Sequence, residues 1–190
     1  MSGLDFSTVI GQAVLPNPIL TASGCAANGK ELSAFFPLEE IGAVVTKSVM
    51  SQPRSGRATP RMAETPSGML NAIGLQGPGI DAFLKEDLPW LVEHGARTVV
   101  SIAGESVDEF AALARKVRGA QGVSAIEVNI SCPNVENRGL VFACDRNSAR
   151  EVIEAVKRSV GNTLPIIAKL SPDVTDIVSI AEEVVAAGAD

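Results

Sequence analysis

An α/β fold built on parallel strands is the architecture this sequence predicts, and three observations predict it. From residue 81 onward, short apolar runs of strand length alternate with longer segments whose apolar residues recur every three to four positions. Polar residues end or follow each apolar run: Ser23, Lys47, Ser101, Asn129 with Cys132, and Lys169. No Gly-x-Gly-x-x-Gly follows the first run, which counts against a dinucleotide-binding doubly wound sheet. Periodicity alone leaves a doubly wound sheet and a (β/α)8 barrel both open. The polar strand ends favour the barrel, because barrel strands bring their C-terminal ends to one face, where such proteins place their chemistry. The expected fold is therefore a (β/α)8 TIM barrel with about the first five βα units present and an N-terminal β-hairpin.

The elements follow in order. Residues 6–9 and 12–15 flank Gly11 as a short hairpin, and Pro16-Asn17-Pro18 then forces extended geometry. This hairpin is expected to lie as a lid on the bottom of the domain. A first strand is expected over 19–22, a helix over 30–36 ended by Pro37, and a second strand over 43–46. Residues 52–79, punctuated by prolines and glycines, read as one long functional loop. A helix over 81–94 carries Phe83, Leu84, Leu88, Leu91 and Val92 on its apolar face, with Pro89 set to kink it. The third strand is expected over 98–103, and Ser106-x-x-Glu109 reads as a capping box opening a helix to about Arg118. The fourth strand is expected over 125–130. A second capping box, Ser148-x-x-Glu151, is read as opening a helix with Val152, Ile153, Val156 and Val160 on one face. The fifth strand is expected over 165–170, and a last helix over 176–187 with Ile177, Ile180, Ala181 and Val184 inward and Gly188 as its stop.

Composition narrows the classes. The chain has 190 residues, 46% of them hydrophobic, which suffices for one sizeable core. Its 16 basic and 22 acidic residues give a net charge of −6, an argument against a nucleic-acid surface. No apolar stretch approaches the roughly 18 residues that span a bilayer, and the start Met1-Ser2-Gly3-Leu4-Asp5 lacks the basic residues of a signal peptide. A cytoplasmic protein without membrane or nucleic-acid partners is expected. Cys25, Cys132 and Cys144 have neither Cys-x-x-Cys spacing nor an even count, so no metal site and no disulfide framework is indicated.

The chemistry concentrates in Glu127-Val128-Asn129-Ile130-Ser131-Cys132-Pro133-Asn134, where a buried strand ends among two amides, a hydroxyl and a thiol. A thiol, with a reference pKa of about 8.5, exchanges protons near neutrality with little tuning. Asn129 and Asn134 offer amides to a planar, hydrogen-bonding ligand. A lone cysteine is most often inert, and Cys25 and Cys144 are read that way. His94 precedes the third strand and so belongs on the opposite face from Cys132, which argues against a Cys-His dyad.

This Asn-x-Ser-Cys-Pro-Asn stretch resembles that of the class 1 dihydroorotate dehydrogenases, with further matches from Asn17 to Lys169. The resemblance implies oxidation of dihydroorotate to orotate in pyrimidine biosynthesis, with Cys132 as the catalytic base and flavin mononucleotide (FMN) as hydride acceptor. It implies FMN contacts at Ala22, Ser23, Gly24, Lys47, Ser48, Ser101, Asn129 and Lys169. Lys47, Asn71, Ala72, Ile73, Gly74, Leu75, Asn129 and Asn134 would contact substrate. Ser101 departs from the pattern, standing where many members carry a flavin-contacting asparagine. The Gly74-Leu75-Gln76 and Ala22-Ser23-Gly24-Cys25 stretches look more like the NAD-linked class 1B catalytic subunits than the fumarate-linked enzymes. That class implies an iron-sulfur flavoprotein partner carrying FAD and the iron-sulfur cluster, and a homodimer. The membrane-bound class is disfavoured, since it uses serine as base. Two alternatives stand beside this reading: a dihydropyrimidine dehydrogenase-type flavin barrel acting on uracil or thymine, and a non-catalytic fragment. Family members run on past the position of Asp190, so residues 1–190 read as a single barrel domain that is incomplete at its C-terminal side.

Overall fold

The computed structural model describes residues 4–131 and 141–190. The chain opens with the antiparallel hairpin of β1 (Thr8–Ile10) and β2 (Ala13–Leu15), in which Ile10 faces Ala13 across the two-residue turn Gly11-Gln12. Gly11 sits at φ +53°, the left-handed geometry that two-residue hairpin turns demand. The hairpin lies against the N-terminal ends of later strands. Gln12 Nε2 donates to the Asn162 carbonyl at 2.6 Å, and Leu15 is fully buried with Ala43, Val45, Val99 and Ala125. The expected position of the lid is thus observed.

The expected first strand over 19–22 contributes a single parallel bridge, Leu20 to Ala43. The expected helix over 30–36 is a 3-10 turn at Leu32–Ala34, followed by another at Leu38–Glu40. Strand β3 (Val44–Val45) is short and fully buried. The 52–79 segment is not one irregular loop, because it contains the antiparallel pair β4 (Met62–Thr65) and β5 (Gly68–Asn71).

The next helix runs in three pieces: α1 (Ile80–Ala82), a π-helical turn (Phe83–Asp87) and α2 (Leu88–Glu93). Pro89 explains the π-turn. It has no N–H for the carbonyl four residues back, so the α-helical ladder cannot run through it and the chain widens ahead of it. Strand β6 (Thr98–Ile102) leads to α3 (Val107–Arg118), whose first turn is capped as Ser106 Oγ accepts from the Glu109 N–H at 3.2 Å. The reciprocal half of the box is not formed. The Glu109 carboxylate instead accepts from the Glu105 N–H at 2.8 Å and from the Ser51 hydroxyl.

Strand β7 (Val123–Asn129) is followed by α4 (Arg146–Val160), and the residue that caps α4 is Asp145 rather than Ser148. Asp145 Oδ1 accepts from both the N–H and the hydroxyl of Ser148, each at 2.8 Å, which leaves Ser148 inside the first turn. Val152, Ile153, Val156 and Val160 are buried as expected. Strand β8 (Ile166–Lys169) precedes α5 (Ile177–Ala186), capped by Asp176. Ile180 and Val184 of α5 are buried, whereas Ile177, at the first helical position before the packed turns, is 44% exposed. Gly188, at φ +107°, ends the helix as expected: its N–H reaches the Val185 carbonyl and the Ala189 N–H reaches that of Val184, both at 3.0 Å.

The central sheet is parallel, in the order β3-β6-β7-β8, with the Leu20 bridge on the outer side of β3. Strand order therefore equals sequence order. A doubly wound sheet reverses order at a switch point and carries helices on both faces. Here Val100, Ile102, Ile126, Val128 and Ile166 face the cluster built with α3, α4 and α5, while Val45, Val99 and Ala125 face the other way, onto Leu15 and Ile10. Helices on one face and a hairpin plug on the other match a sheet curling toward closure.

Candidate active site at the C-terminal strand ends

Side chains alternate across a strand, so the inward face reads out every second residue. On β6 that face carries Val99 then Ser101; on β7, Ala125, Glu127 and Asn129; on β8, Ile167 and Lys169. The register places Ser101 beside Glu127 and Asn129 beside Lys169. The inward layer is thus apolar next to the hairpin and turns polar toward the C-terminal ends.

The polar side chains are joined. Ser48, just past β3, sits at the hub, with its hydroxyl 3.1 Å from that of Ser23, 2.9 Å from that of Ser101 and 2.9 Å from Asn129 Nδ2. Ser101 Oγ donates to Glu127 Oε1 at 2.7 Å, and the Ser101 N–H donates to Thr46 Oγ1 at 3.1 Å. Asn129 Oδ1 accepts from the N–H and hydroxyl of Ser131 at 3.3 and 2.8 Å. Ser48, Ser101, Glu127 and Asn129 are all buried. Buried polar groups of this kind are tolerated because each finds a partner.

Beside this cluster opens a cleft of about 410 Å³ lined by Asn28, Lys47, Arg54, Ile73 and Gln76 among others. Lys47 is anchored by its N–H on the Ala27 carbonyl at 2.9 Å, and its Nζ lies 3.8 Å from where a Cβ on Gly24 would stand. Among the described residues neither Lys47 nor Lys169, both half-buried, forms an ion pair. Asn28 donates from Nδ2 to Asp87 Oδ2 at 3.0 Å, which leaves its buried Oδ1 without a partner among the described residues. Asp87 also holds Lys30 at 2.8 Å, a hydrogen bond that raises the Lys30 pKa above its ordinary value. Two non-glycine residues adopt positive φ, Ala27 (+43°) on the cleft wall and Leu75 (+51°) between Gly74 and Gln76. Strain of this kind clusters where a backbone is held for a ligand.

The structure brings Ser23, Ser48, Ser101 and Asn129 into one hydrogen-bonded group, with Lys47 and Ile73 at the adjoining cleft, Gly24 beside the Lys47 ammonium and Lys169 in register with Asn129. Ala22 is exposed, and its carbonyl accepts from the Cys25 N–H at 3.0 Å. Asn71 ends the exposed strand β5, and Ala72 is held by its N–H on the Arg61 carbonyl at 2.8 Å, so neither touches the serine cluster. Cys132 and Asn134 lie outside the described residues. The Ile130 carbonyl, at the end of β7, accepts from the Ala143 N–H at 3.0 Å. Cys25 and Cys144 are free and exposed rather than buried. His94 stacks on Trp90 with ring centroids 3.9 Å apart and bonds its carbonyl, away from the site.

Two residues went unassigned from sequence. Glu127 interrupts a buried apolar strand at an inward position, and that break in the pattern was the available signal. Asn28 had none. No group of three or more His, Cys, Asp or Glu side chains suited to a metal occurs among the described residues, and none of the described helices is long and apolar enough to cross a membrane.

Comparison with known proteins agrees with this geometry. The family model described as dihydroorotate dehydrogenase matches residues 6–190. The chain is 48% identical over 190 residues to a protein of Geotalea daltonii named dihydroorotate dehydrogenase B (NAD(+)), catalytic subunit, covering all of this chain and 62% of that protein. A protein of the same name from Geotalea uraniireducens is 46% identical over 98% of this chain and 60% of its own length. Another, from Geobacillus kaustophilus, is 46% identical over 93% of this chain and 56% of its own. The chain thus spans about three fifths of the length of the curated relatives it matches. With its family model matched along nearly its whole length, the chain belongs to the dihydroorotate dehydrogenase family.

Proposed function

We propose that this chain supplies the substrate-facing part of an enzyme that oxidises dihydroorotate to orotate in pyrimidine biosynthesis, in the NAD-linked class of its relatives. The observation that carries the reading is the hydrogen-bonded cluster of half-buried Ser23 with buried Ser48, Ser101 and Asn129 beside a cleft holding Lys47, all at the C-terminal ends of a sequentially ordered parallel sheet. We read that sheet as the first five units of a (β/α)8 barrel, with the segment around Leu20 as the first strand, and residues 1–190 as part of one barrel domain.

The residues present fit FMN and a small planar acid. Lys47 and Lys169, which form no ion pair among the described residues, the buried Asn28 Oδ1, which has no partner among them, and the open backbone at Gly24 are groups that a flat anionic ligand would satisfy. Ala22, Ser23, Gly24, Lys47, Ser48, Ser101, Asn129 and Lys169 would hold FMN. When bound, FMN supplies the acceptor for the hydride that leaves C6 of dihydroorotate. Cys132 removes the proton from C5 as its thiolate, Lys47 offsets the charge of the substrate carboxylate, and Asn71, Asn129 and Asn134 orient the ring together with the 72–75 backbone. A homodimer, a cytoplasmic location and an iron-sulfur flavoprotein partner carrying FAD complete the proposal, the partner suggested by the relatives' designation as NAD-linked catalytic subunits.

Ligand discrimination tests the reading. In the full-length protein, orotate is expected to shift the visible band of bound flavin at concentrations where uracil does nothing. A response to uracil and none to orotate would assign the site to pyrimidine-base reduction instead.

A further inference from the structure

The hydrogen-bond cluster has a direction. At one end the Ser131 backbone N–H can only donate, so the Asn129 oxygen must face it and the Asn129 nitrogen must face Ser48, as observed at 3.3 and 2.9 Å. At the other end a carboxylate can only accept, so Ser101 must give its proton to Glu127, as its 2.7 Å contact allows. Between these two fixed ends one arrangement is possible. Ser101, having donated to Glu127, accepts from Ser48 at 2.9 Å. Ser48, having donated to Ser101, accepts from Asn129 Nδ2 and from the Ser23 hydroxyl at 3.1 Å. The consequence falls on the groups left over: among the described residues Asn129 has one free N–H, and Ser23 has only lone pairs.

We propose that Glu127 is a positioning residue that, through Ser101 and Ser48, fixes Ser23 as a hydrogen-bond acceptor toward whatever binds the site, beside an Asn129 that the Ser131 N–H already fixes as a donor. This rests on the functional reading above and adds to it the polarity of the recognition: a ligand carbonyl for Asn129 and a ligand N–H or O–H for Ser23. Glu127 is 8% exposed and makes its contact with Ser101 rather than with the cleft, so it acts through its neighbours and not on the ligand. A glutamine at 127 would present a donor as readily as an acceptor; Ser101 could then give its proton to Ser48 and Ser48 its own to Ser23, which would turn Ser23 into a donor while Asn129 stays held by the Ser131 N–H.

The test is a double-mutant cycle in the full-length protein, comparing Glu127→Gln, Ser101→Ala and the pair. The readouts are melting temperature and FMN affinity from titration of the flavin-free protein. Glu127→Gln is expected to keep its melting temperature and to weaken FMN about tenfold, the order expected when one well-placed hydrogen bond is lost. Ser101→Ala, which removes a flavin-holding residue and leaves Glu127 unpaired, is expected to weaken FMN at least as much and to melt lower. The pair is expected to bind FMN no more weakly than Ser101→Ala alone, because Glu127 acts only through Ser101. FMN affinity unchanged in Glu127→Gln, or a further loss of about tenfold when it is added to Ser101→Ala, overturns the proposal. A fall in melting temperature with FMN affinity intact in Glu127→Gln does so too, since it would make Glu127 a packing residue. Where Glu127→Gln fails to fold, Ser101→Ala decides by the same affinity criterion. A wild-type protein that binds FMN but not orotate removes the functional reading itself, and the inference with it.

Discussion

At the residue scale, the account depends on how a few polar side chains survive burial. Ser48, Ser101, Glu127 and Asn129 are each nine-tenths or more out of solvent, and each is satisfied by another member of the group. An unpaired member would cost about 1–3 kcal/mol. The arrangement therefore holds itself together before any ligand arrives. The inward positions Lys47, Ser101, Asn129 and Lys169 were readable from sequence, because each ends an apolar run. Glu127 and Asn28 were not assigned, since their roles follow from partners far away in the chain: Ser101 and Asp87. Two predictions belong here. Cys132→Ser in the full-length protein is expected to retain flavin while losing about 100- to 10,000-fold in turnover at neutral pH, the usual share of a general base. Undiminished turnover in steady-state assays would remove Cys132 from that role. Lys47→Met is expected to weaken orotate while leaving the melting temperature within about 2 °C, because Lys47 has no ion-pair partner among the described residues and substitutions of that kind cost about 0.5 kcal/mol or less.

At the element scale, packing decided what the sequence pattern revealed. Helices α3 and α4 bury an apolar stripe and were placed within a few residues. The pair β4 and β5 was missed because all eight of its residues are exposed, so neither face carries the alternation that marks a half-buried strand. The cap of α4 was misplaced for a different reason: Ser148-x-x-Glu151 has the capping signature, yet Asp145 three residues earlier offers a carboxylate to the same first turn. The Ser148 backbone N–H, with its hydroxyl, holds the Asp145 carboxyl below its ordinary pKa of 3.8. A depressed folded-state pKa means stability that is complete above the unfolded value and lost as pH falls through the folded one. Asp145→Ala is thus expected to cost about 1 kcal/mol at pH 7, a typical cap contribution. In urea unfolding series, that difference should shrink below the ordinary aspartate pKa of 3.8. A cost that persists undiminished at pH 3, on the order of one unit below that pKa, would mean that the carboxylate is not what caps the helix.

At the scale of the whole molecule, the sequence distinguished parallel α/β from other classes but left closure open, because periodicity within strands is the same in a doubly wound sheet and a barrel. Strand order and the one-sided helical layer resolve that choice, and both depend on contacts between segments about 20 to 50 residues apart, the spacing of βα units. The consequence is functional. Sequential order brings Ser23, Ser48, Ser101 and Asn129, spread over more than a hundred residues of chain, to one end of the sheet beside the Lys47 cleft. The central claim is that this end is where dihydroorotate meets flavin. The most direct test is the visible spectrum of the full-length protein, purified with FMN, before and after dihydroorotate is added without oxygen. We predict bleaching of the flavin band with one orotate formed per flavin reduced; a bound flavin that stays oxidised in excess dihydroorotate would contradict the account.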